Sequence, residues 1–515
     1  MKINILTTSD THGFVFPTNY VNNRDKMPFG MLKAATCINS LRKQLDNVVT
    51  IDNGDFLEGS PLAYYIAKVL NQSSPKQIDD VFNMMNYDYG ILGNHEFNYG
   101  VDYLRNTINE SNRKFLCANI LNEQGTPAFG KAYDIKNING IKVGFLGLTT
   151  QGTNKWANYG NLNGLKIISA VAAAKKYIPI MKKNADIIVV SYHGGFERDF
   201  DGTLTDSFSG ENESYQLLKE VKGIDALVTG HQHRKIAKKL FGVPVVQEGR
   251  RGQYVGKITL DVNTDNKKVE HSSTELVATG KYSLDQAIKE RVNPIQNSLN
   301  EWLDKPLAKI DGCMKFSDPF KVRLNKNSFI QFVQKVQMDK MGVDISATAL
   351  FNNEAHGFEN PITMRNIITN YVYPNSLSVL EIDGKDLKQA IEISAKYFSI
   401  ENNQIVVNKD FLYPKVRHYN YDMYEGIDYV INVSQPVGSR VEKLTYHGKE
   451  IDKNQKLKIV LNQYRASGGG HFPMFSDAKI IKSDPTPMSQ VIAEYLKSHK
   501  LIKAENNHNF KIIKK

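Results

Sequence analysis

The chain has 515 residues, 41% hydrophobic and 23% charged, with three cysteines and a formal net charge of +11. That length exceeds what one hydrophobic core usually supports, so two or more domains are expected, and the scattered Cys37, Cys117 and Cys313 exclude a disulfide framework or a cysteine-rich zinc site. The positive charge is dispersed apart from a short lysine-rich C-terminus, and no nucleic-acid-binding motif accompanies it, so a polymeric nucleic acid is not an expected partner. A mild attraction for anionic nucleotides is all that the charge supports.

Residues 4–9 read as a strand that delivers Asp10 and His12 on the same side of its end. Residues 48–51 likewise deliver Asp52, Asn53, Gly54 and Asp55. Ile78, Val81, Phe82 and Met85 fall at i, i+3, i+4 and i+7, a helical core stripe just before Gly93-Asn94-His95-Glu96. Residues 143–148 read as a buried strand and 169–182 as a helix. The apolar runs 187–192 and 226–229 end in His193-Gly194 and Gly230-His231-Gln232-His233. A charged amphipathic stretch at about 281–305 reads as a linker helix, kinked or divided at Pro294. Beyond it, residues 443–449 look like a hairpin, and the polar tail 504–515 is expected to fray except at 510–513. No apolar stretch approaches a membrane span, so no membrane partner is expected. Met1-Lys2 leads straight into the first strand, so the expected location is cytoplasmic; a form trimmed of an export signal would read the same.

A lone strand-end histidine is more often a hydrogen-bonded structural residue than a metal ligand. Five such segments in one half-chain change that balance, because open α/β sheets place ligand sites at the carboxyl ends of their strands. Two divalent ions about 3.5–4 Å apart need about three or four protein ligands each and a bridging carboxylate. Carboxylate, amide oxygen and imidazole suit Mn, Zn, Fe or Co. Alternating strands and helices by themselves imply only an α/β class.

The order DxH, GD, GNHE, HG and GHxH resembles that of the calcineurin-like metallophosphoesterases. The longer strings 52–62 and 93–100 are similar to the bacterial 5′-nucleotidase superfamily, closest to its 2′,3′-cyclic-nucleotide 2′-phosphodiesterase/3′-nucleotidase branch. Arg365-Asn366, Tyr373-Pro374-Asn375-Ser376-Leu377, the stretch 417–422 and the stretch 462–469 extend the resemblance into the second half. It implies a four-layer α-β-β-α sandwich over 1–276, a helical linker over 277–308 and a second, α+β nucleotide-binding domain over 309–515. It also implies two divalent metal ions: Asp10, His12 and His233 would hold one, Asn94, His193 and His231 the other, with Asp55 bridging. His95 would be a catalytic non-ligand that stabilises the transition state and can protonate the leaving oxygen.

Two departures from the 5′-nucleotidase pattern bear on the reaction. Asn98 stands where those enzymes place an aspartate beside the histidine; an amide can orient the ring but cannot lend it negative charge. Gly470 stands where they carry an acidic residue for the ribose hydroxyls. Tyr464 matches an aromatic position that stacks on the base, with Tyr419 or Tyr421 taking the other face, and Tyr421 is preferred. Arg365 is a candidate electrostatic contact, with a structural helix-end arginine equally compatible. The expected activity is a metal-dependent hydrolase that opens 2′,3′-cyclic nucleotides and removes the 3′-phosphate by in-line attack of a metal-activated hydroxide. A 5′-nucleotidase, a nucleotide-sugar hydrolase and a nucleotide-binding protein without turnover are the alternatives. The expected partner is a small-molecule nucleotide.

Overall fold

The computed structural model of the chain describes residues 1–22, 26–156, 162–206, 210–373 and 375–515. It contains two compact units, Met1–Leu299 and Asn300–Lys515. The first unit begins with β1 Lys2–Thr8, α1 Met31–Gln44, β2 Val48–Asp52, α2 Lys76–Met85, β3 Tyr89–Ile91, α3 Val101–Glu110 and β4 Lys114–Leu116. It continues with β5 Tyr133–Ile138, β6 Ile141–Thr149, α4 Ala170–Met181 and β7 Ile187–His193. Then come β8 Ala226–Val228, β9 Lys235–Leu240, β10 Val243–Glu248, β11 Tyr254–Val262 and β12 Val269–Ala278. The unit boundary falls inside α5, Gln286–Leu303, which continues through Pro294 and is not divided there.

These strands make two six-stranded sheets, ordered β12-β11-β1-β2-β3-β4 and β9-β10-β8-β7-β6-β5. Neighbours β1 to β4 run parallel, as do β6, β7, β8 and β10, with antiparallel strands at the edges. Alternation along β7 explains the layering. Ile187 and Val189 join Ile5, Val49, Ile51 and Ile258 between the sheets. Ile188 and Val190 point the other way, onto Ala173, Ala174 and Ile178 of α4. A strand buried on both faces reads as a continuous apolar run, which is how 187–192 appears in the sequence. Each such aliphatic side chain removed from water contributes about 1.5–3 kcal/mol. The parallel strands β1, β2 and β3 end together, and so do β7 and β8, which brings the ligand-bearing segments together at the carboxyl ends of interior strands.

On β2, Thr50 and Asp52 alternate with the inter-sheet Val49 and Ile51 and meet the helices instead. Arg42 of α1 donates to Thr50 Oγ1 at 3.0 Å. Arg113, whose side chain is wholly buried, donates to Asp52 at 2.6 Å and to Asp79 of α2 at 3.0 Å. Its guanidinium lies 4.1 and 4.2 Å from the ring centres of Phe56 and Phe82. Burial pushes Asp52 up to about 6 and Asp79 up to about 7, against the pull of Arg113.

The second unit centres on β13 Ile345–Ala349, β14 Leu377–Asp383, β15 Asp422–Glu425, β16 Lys456–Asn462 and β17 Lys479–Asp484, ordered β15-β13-β16-β14-β17. Helices α6 Ser328–Met341, α7 Met364–Asn370 and α8 Gly384–Ala395 accompany this mixed sheet. The hairpin expected at 443–449 pairs Val441–Tyr446 with Lys449–Glu450. Phe510–Ile513 pairs in parallel with Asp428–Asn432, so this part of the tail is stitched into the fold.

Replacing Arg113 by Ala leaves two buried carboxylates without their cation. The expected cost is about 3–5 kcal/mol in urea unfolding of the first unit. Adding Asp79→Asn should recover part of it, and a loss below about 1 kcal/mol would show that the cluster carries little stability.

Candidate metal centre

The seven residues expected as ligands converge at the carboxyl ends of the strands. Asp10, His12 and His233 form one group of donor atoms, and Asp55, His193 and His231 another, each group lying within 4.8 Å of one another. Asp10, His12, Asp55, His231 and His233 all have positive φ, between 51° and 67°. Left-handed backbone is uncommon outside glycine, and such strain clusters at functional sites. Each of these residues leaves its strand on a sharp turn that a regular continuation would not allow. Close packing of the turns excludes side chains at two glycines: a Cβ on Gly93 would lie 2.2 Å from Asp55 Oδ1, and one on Gly230 would lie 2.4 Å from Ser9 Oγ.

Hydrogen bonds to the outer ring nitrogens aim the inner ones. His193 Nδ1 donates to the Asn53 carbonyl at 2.6 Å, and His12 Nδ1 donates to the Glu58 carbonyl at 2.8 Å. Both therefore turn Nε2 inward, where the neutral ring offers a lone pair. His12 Nε2 then faces His233 Nε2 at 3.1 Å, and His233 Nε2 lies 3.4 Å from Asp10 Oδ1. In the second group His193 Nε2 stands 3.1 Å from Asp55 Oδ2, and Asn94 Oδ1 lies 2.8 Å from His231 Nδ1. His231 Nε2 is met by Glu211 Oε1 at 3.0 Å. Asp10 is steadied by the His231 backbone N–H, 3.1 Å from both its oxygens, and by Ser9 Oγ at 2.6 Å.

The donor set fits divalent cations. His193 Nε2 is fully buried and makes no hydrogen bond, although Asp55 is at ion-pair distance. Burial alone would raise Asp10 and Asp55, yet the imidazoles around them hold both well below the usual carboxylate range. Burial would lower His193, but Asp55 and Asp10 push it up to about 10. Two buried carboxylates that demand positive charge, ringed by inward lone pairs, are what a metal satisfies.

His95 differs from the others. Its Nδ1 lies 2.8 Å from Glu58 Oε2 and 3.1 Å from Asn98 Nδ2, and its side chain stays 28% exposed. Its backbone N–H donates to Asp55 Oδ1 at 2.8 Å. Three acidic residues here escaped the sequence reading: Glu58, Glu211 and Glu96. Glu58 and Glu96 sat inside quoted motif strings, but only the folded loops show what their carboxylates face. Glu211, sixteen or more residues from any ligand segment in sequence, gave no signal at all.

Residues 3–235 match the calcineurin-like phosphoesterase family, and residues 308–477 match the 5′-nucleotidase C-terminal domain. A 2′,3′-cyclic-nucleotide 2′-phosphodiesterase/3′-nucleotidase of Salmonella typhimurium is 30% identical, over 96% of this chain and 86% of that protein. The chain belongs to the two-domain metallophosphoesterase nucleotidase family. The trifunctional nucleotide phosphoesterase YfkN of Bacillus subtilis is 29% identical over 98% of the chain, which spans 39% of that longer protein. A Staphylococcus aureus structure, provisionally described as a 5′-nucleotidase in complex with alpha-ketoglutarate, superposes with a TM-score of 0.93 at 37% identity, covering 100% of both chains. As a member of this family the protein is a metal-dependent phosphoesterase. Among the described residues no helix is long and apolar enough to cross a membrane.

The second unit of this nucleotidase corrects two expectations. Tyr421 is completely buried, stacks on Tyr397 at 5.0 Å and 27°, and donates its hydroxyl to the Arg323 carbonyl at 2.9 Å. A core residue so enclosed offers no face to a base. Tyr419 is the ring near Tyr464, with centroids 6.3 Å apart and planes at 74°. Tyr373 flanks Tyr419 at 6.4 Å, while Pro374 of the same string lies outside the described residues. Arg365 is almost buried and reaches Asp304 at 2.6 Å and Asn300 at 3.2 Å, which ties α7 to the end of α5. Its geometry is that of the structural helix-end arginine, not of a substrate contact.

Glu211 is placed to orient His231 from behind. Glu211→Ala is expected to weaken metal binding about 10–100-fold, read by chelator competition without any substrate. Unchanged affinity would mean that the carboxylate does not act on the ligand.

Proposed function

We propose that this nucleotidase opens 2′,3′-cyclic nucleotides and then removes the 3′-phosphate, using a two-metal centre. The observation that carries the choice of branch is Gly470. It has φ +74°, and a Cβ there would meet Asn420 Oδ1 at 2.2 Å and Arg465 Nη1 at 2.3 Å. The acidic side chain that 5′-nucleotidases place at this position has no room here. Its loss removes repulsion toward a phosphate on the 2′ or 3′ oxygen. The 27–30% identity to proteins described as cyclic-nucleotide phosphodiesterases in Salmonella, Haemophilus and Yersinia supports the same branch.

Asp10, His12 and His233 would hold one ion and Asn94, His193 and His231 the other, with Asp55 shared. When bound, the ions would supply an activated water and withdraw charge from the phosphoryl oxygens. The chain's own groups do the rest. His95, open to solvent on one side, is placed to stabilise charge on the phosphoryl group and to hand a proton to the departing sugar oxygen. Glu58 accepts from its Nδ1, with the Asn98 amide beside the ring. Tyr464 and Tyr419 form a corner in which a base stacks on one ring and meets the other edge-on; stacking of this kind is worth about 1–3 kcal/mol and tolerates any base.

The deciding experiment follows product identity with added Mn²⁺ or Co²⁺ on 2′,3′-cyclic AMP, 3′-AMP, 5′-AMP and a nucleotide sugar. Turnover of the first two, with 3′-AMP passing through as an intermediate, is expected. A preference for 5′-AMP would replace the proposal with the 5′-nucleotidase reading, which the Staphylococcus structure favours. Tyr464→Ala should raise KM for nucleotides while sparing a small aryl phosphodiester, and equal losses on both would exclude base stacking.

A further inference from the structure

The strongest feature not absorbed by the ligand set is Glu58. We infer that Glu58 is the positioning residue for His95, standing in for the aspartate that this chain lacks at Asn98. The inference rests on the reading of His95 given above.

Glu58 occupies the turn that follows Asp55 and makes two separate contacts with the centre. Its backbone carbonyl accepts from His12 Nδ1 at 2.8 Å. Its carboxylate, with the side chain 6% exposed, meets His95 Nδ1 at 2.8 Å. The first contact belongs to the main chain and survives any change of side chain. The second is the only one a substitution would remove.

The ring of His95 has one hydrogen at Nδ1 to give, and a carboxylate is a stronger acceptor than an amide. Asn98 turns its amide Nδ2, a donor, toward the same nitrogen at 3.1 Å, so it cannot accept the hydrogen that Glu58 takes. With Nδ1 committed to Glu58, the ring's other nitrogen faces away from Glu58. A ring nitrogen of His95 lies within 4.8 Å of the donor atoms of His12 and Asp55, and the His12 and His95 rings pack edge to face at 5.2 Å. Rotation of the ring about its side-chain bonds would break the Glu58 contact, so the carboxylate fixes the direction in which His95 presents itself.

The turn that carries Glu58 is itself rigid. Glu96 accepts from the N–H groups of Asp55, Phe56 and Leu57 at 2.8, 2.7 and 3.2 Å. At the next residue, a Cβ on Gly59 would lie 2.8 Å from His12 Cβ, which leaves the turn no room to slide. Glu58 is thus held at both ends of its segment.

The test compares Glu58→Ala, Glu58→Gln, His95→Ala and the Glu58→Ala/His95→Ala double variant. Each is read for metal content and for kcat and KM on two substrates, a bis-aryl phosphodiester and 2′,3′-cyclic AMP. Expected results are a kcat loss of about 100-fold for Glu58→Ala with KM and metal content unchanged, and a smaller loss for Glu58→Gln, whose amide oxygen still accepts. The loss should be larger on the cyclic nucleotide, whose sugar oxygen is the poorer leaving group. In the His95→Ala background Glu58→Ala should cost nothing further. Additive losses in the double variant, or loss of metal with Glu58→Ala and Glu58→Gln alike, would overturn the inference. So would a near-normal Glu58→Ala beside a crippled His95→Ala, which leaves the reading of His95 standing. A near-normal His95→Ala on both the aryl ester and whichever nucleotide the protein turns over would overturn both.

Discussion

The turns that carry the candidate ligands depend on one buried carboxylate outside that set. Glu96 is inaccessible to solvent and collects four backbone N–H groups, those of Asp55, Phe56, Leu57 and Gly93, at 2.6 to 3.2 Å. It thereby fastens the turn after β2 to the turn after β3. The first turn carries the bridging candidate Asp55 and the second carries Asn94 and His95. Burial raises Glu96 to about 7, with the nearby Asp55 charge adding to the rise, while His193 and then the backbone N–H groups of Asp55 and Gly93 pull it down. Without those donors the two turns would carry exposed strand ends and separate loops; with them they form one wall.

That wall explains why the ligands tolerate strain. Left-handed backbone at Asp10, His12, Asp55, His231 and His233 costs of order 1–3 kcal/mol at each residue. The cost is met by sheets whose shared core is continuous on both sides, and by backbone bonds that cross between segments. Asp10 N–H donates to the Gly54 carbonyl, His12 N–H to the Asp55 carbonyl, and Arg251 N–H to the Asp10 carbonyl. Each turn is thus held by another turn, and backbone bonds between them fix where the donors stand.

Much of this was legible in the chain. Apolar runs announced β7 and β8, because strands buried on both faces are written as near-continuous hydrophobic runs, while β1 and β2 mix apolar residues with Asn4, Thr7, Thr8 and Thr50 and were read from the Asp and His at their ends. The helical stripe at Ile78, Val81, Phe82 and Met85 is buried as its spacing requires. The gathering of seven donors from five segments was legible only through their order. What stayed hidden was everything that depends on direction across the fold. Glu58, Glu96 and Glu211 are ordinary acidic residues in sequence, and their importance comes from facing backbone N–H groups or ring nitrogens of distant segments. Of the kink or division expected at Pro294, the division is absent: the helix Gln286–Leu303 runs through the proline, which removes only one backbone donor.

The tyrosines show the same limit more sharply. Tyr419 and Tyr421 are two residues apart, and nothing in their local pattern separates a surface ring from a core ring. The decision is made by Arg465. Its side chain is buried against Asp422, with Nε to Oδ2 at 2.6 Å, and it donates to the Tyr419 carbonyl at 2.9 Å and to the Gly469 carbonyl. Its guanidinium also lies 3.9 Å over the Phe472 ring. One buried cation therefore welds the segment 419–422 to the glycine-rich loop after Tyr464. Because Asp422 is drawn inward onto β15, Tyr421 follows it into the core and Tyr419, before the turn, is left outside beside Tyr464. The same weld fills the space over Gly470, so the missing acidic side chain and the choice of tyrosine are two consequences of one arginine.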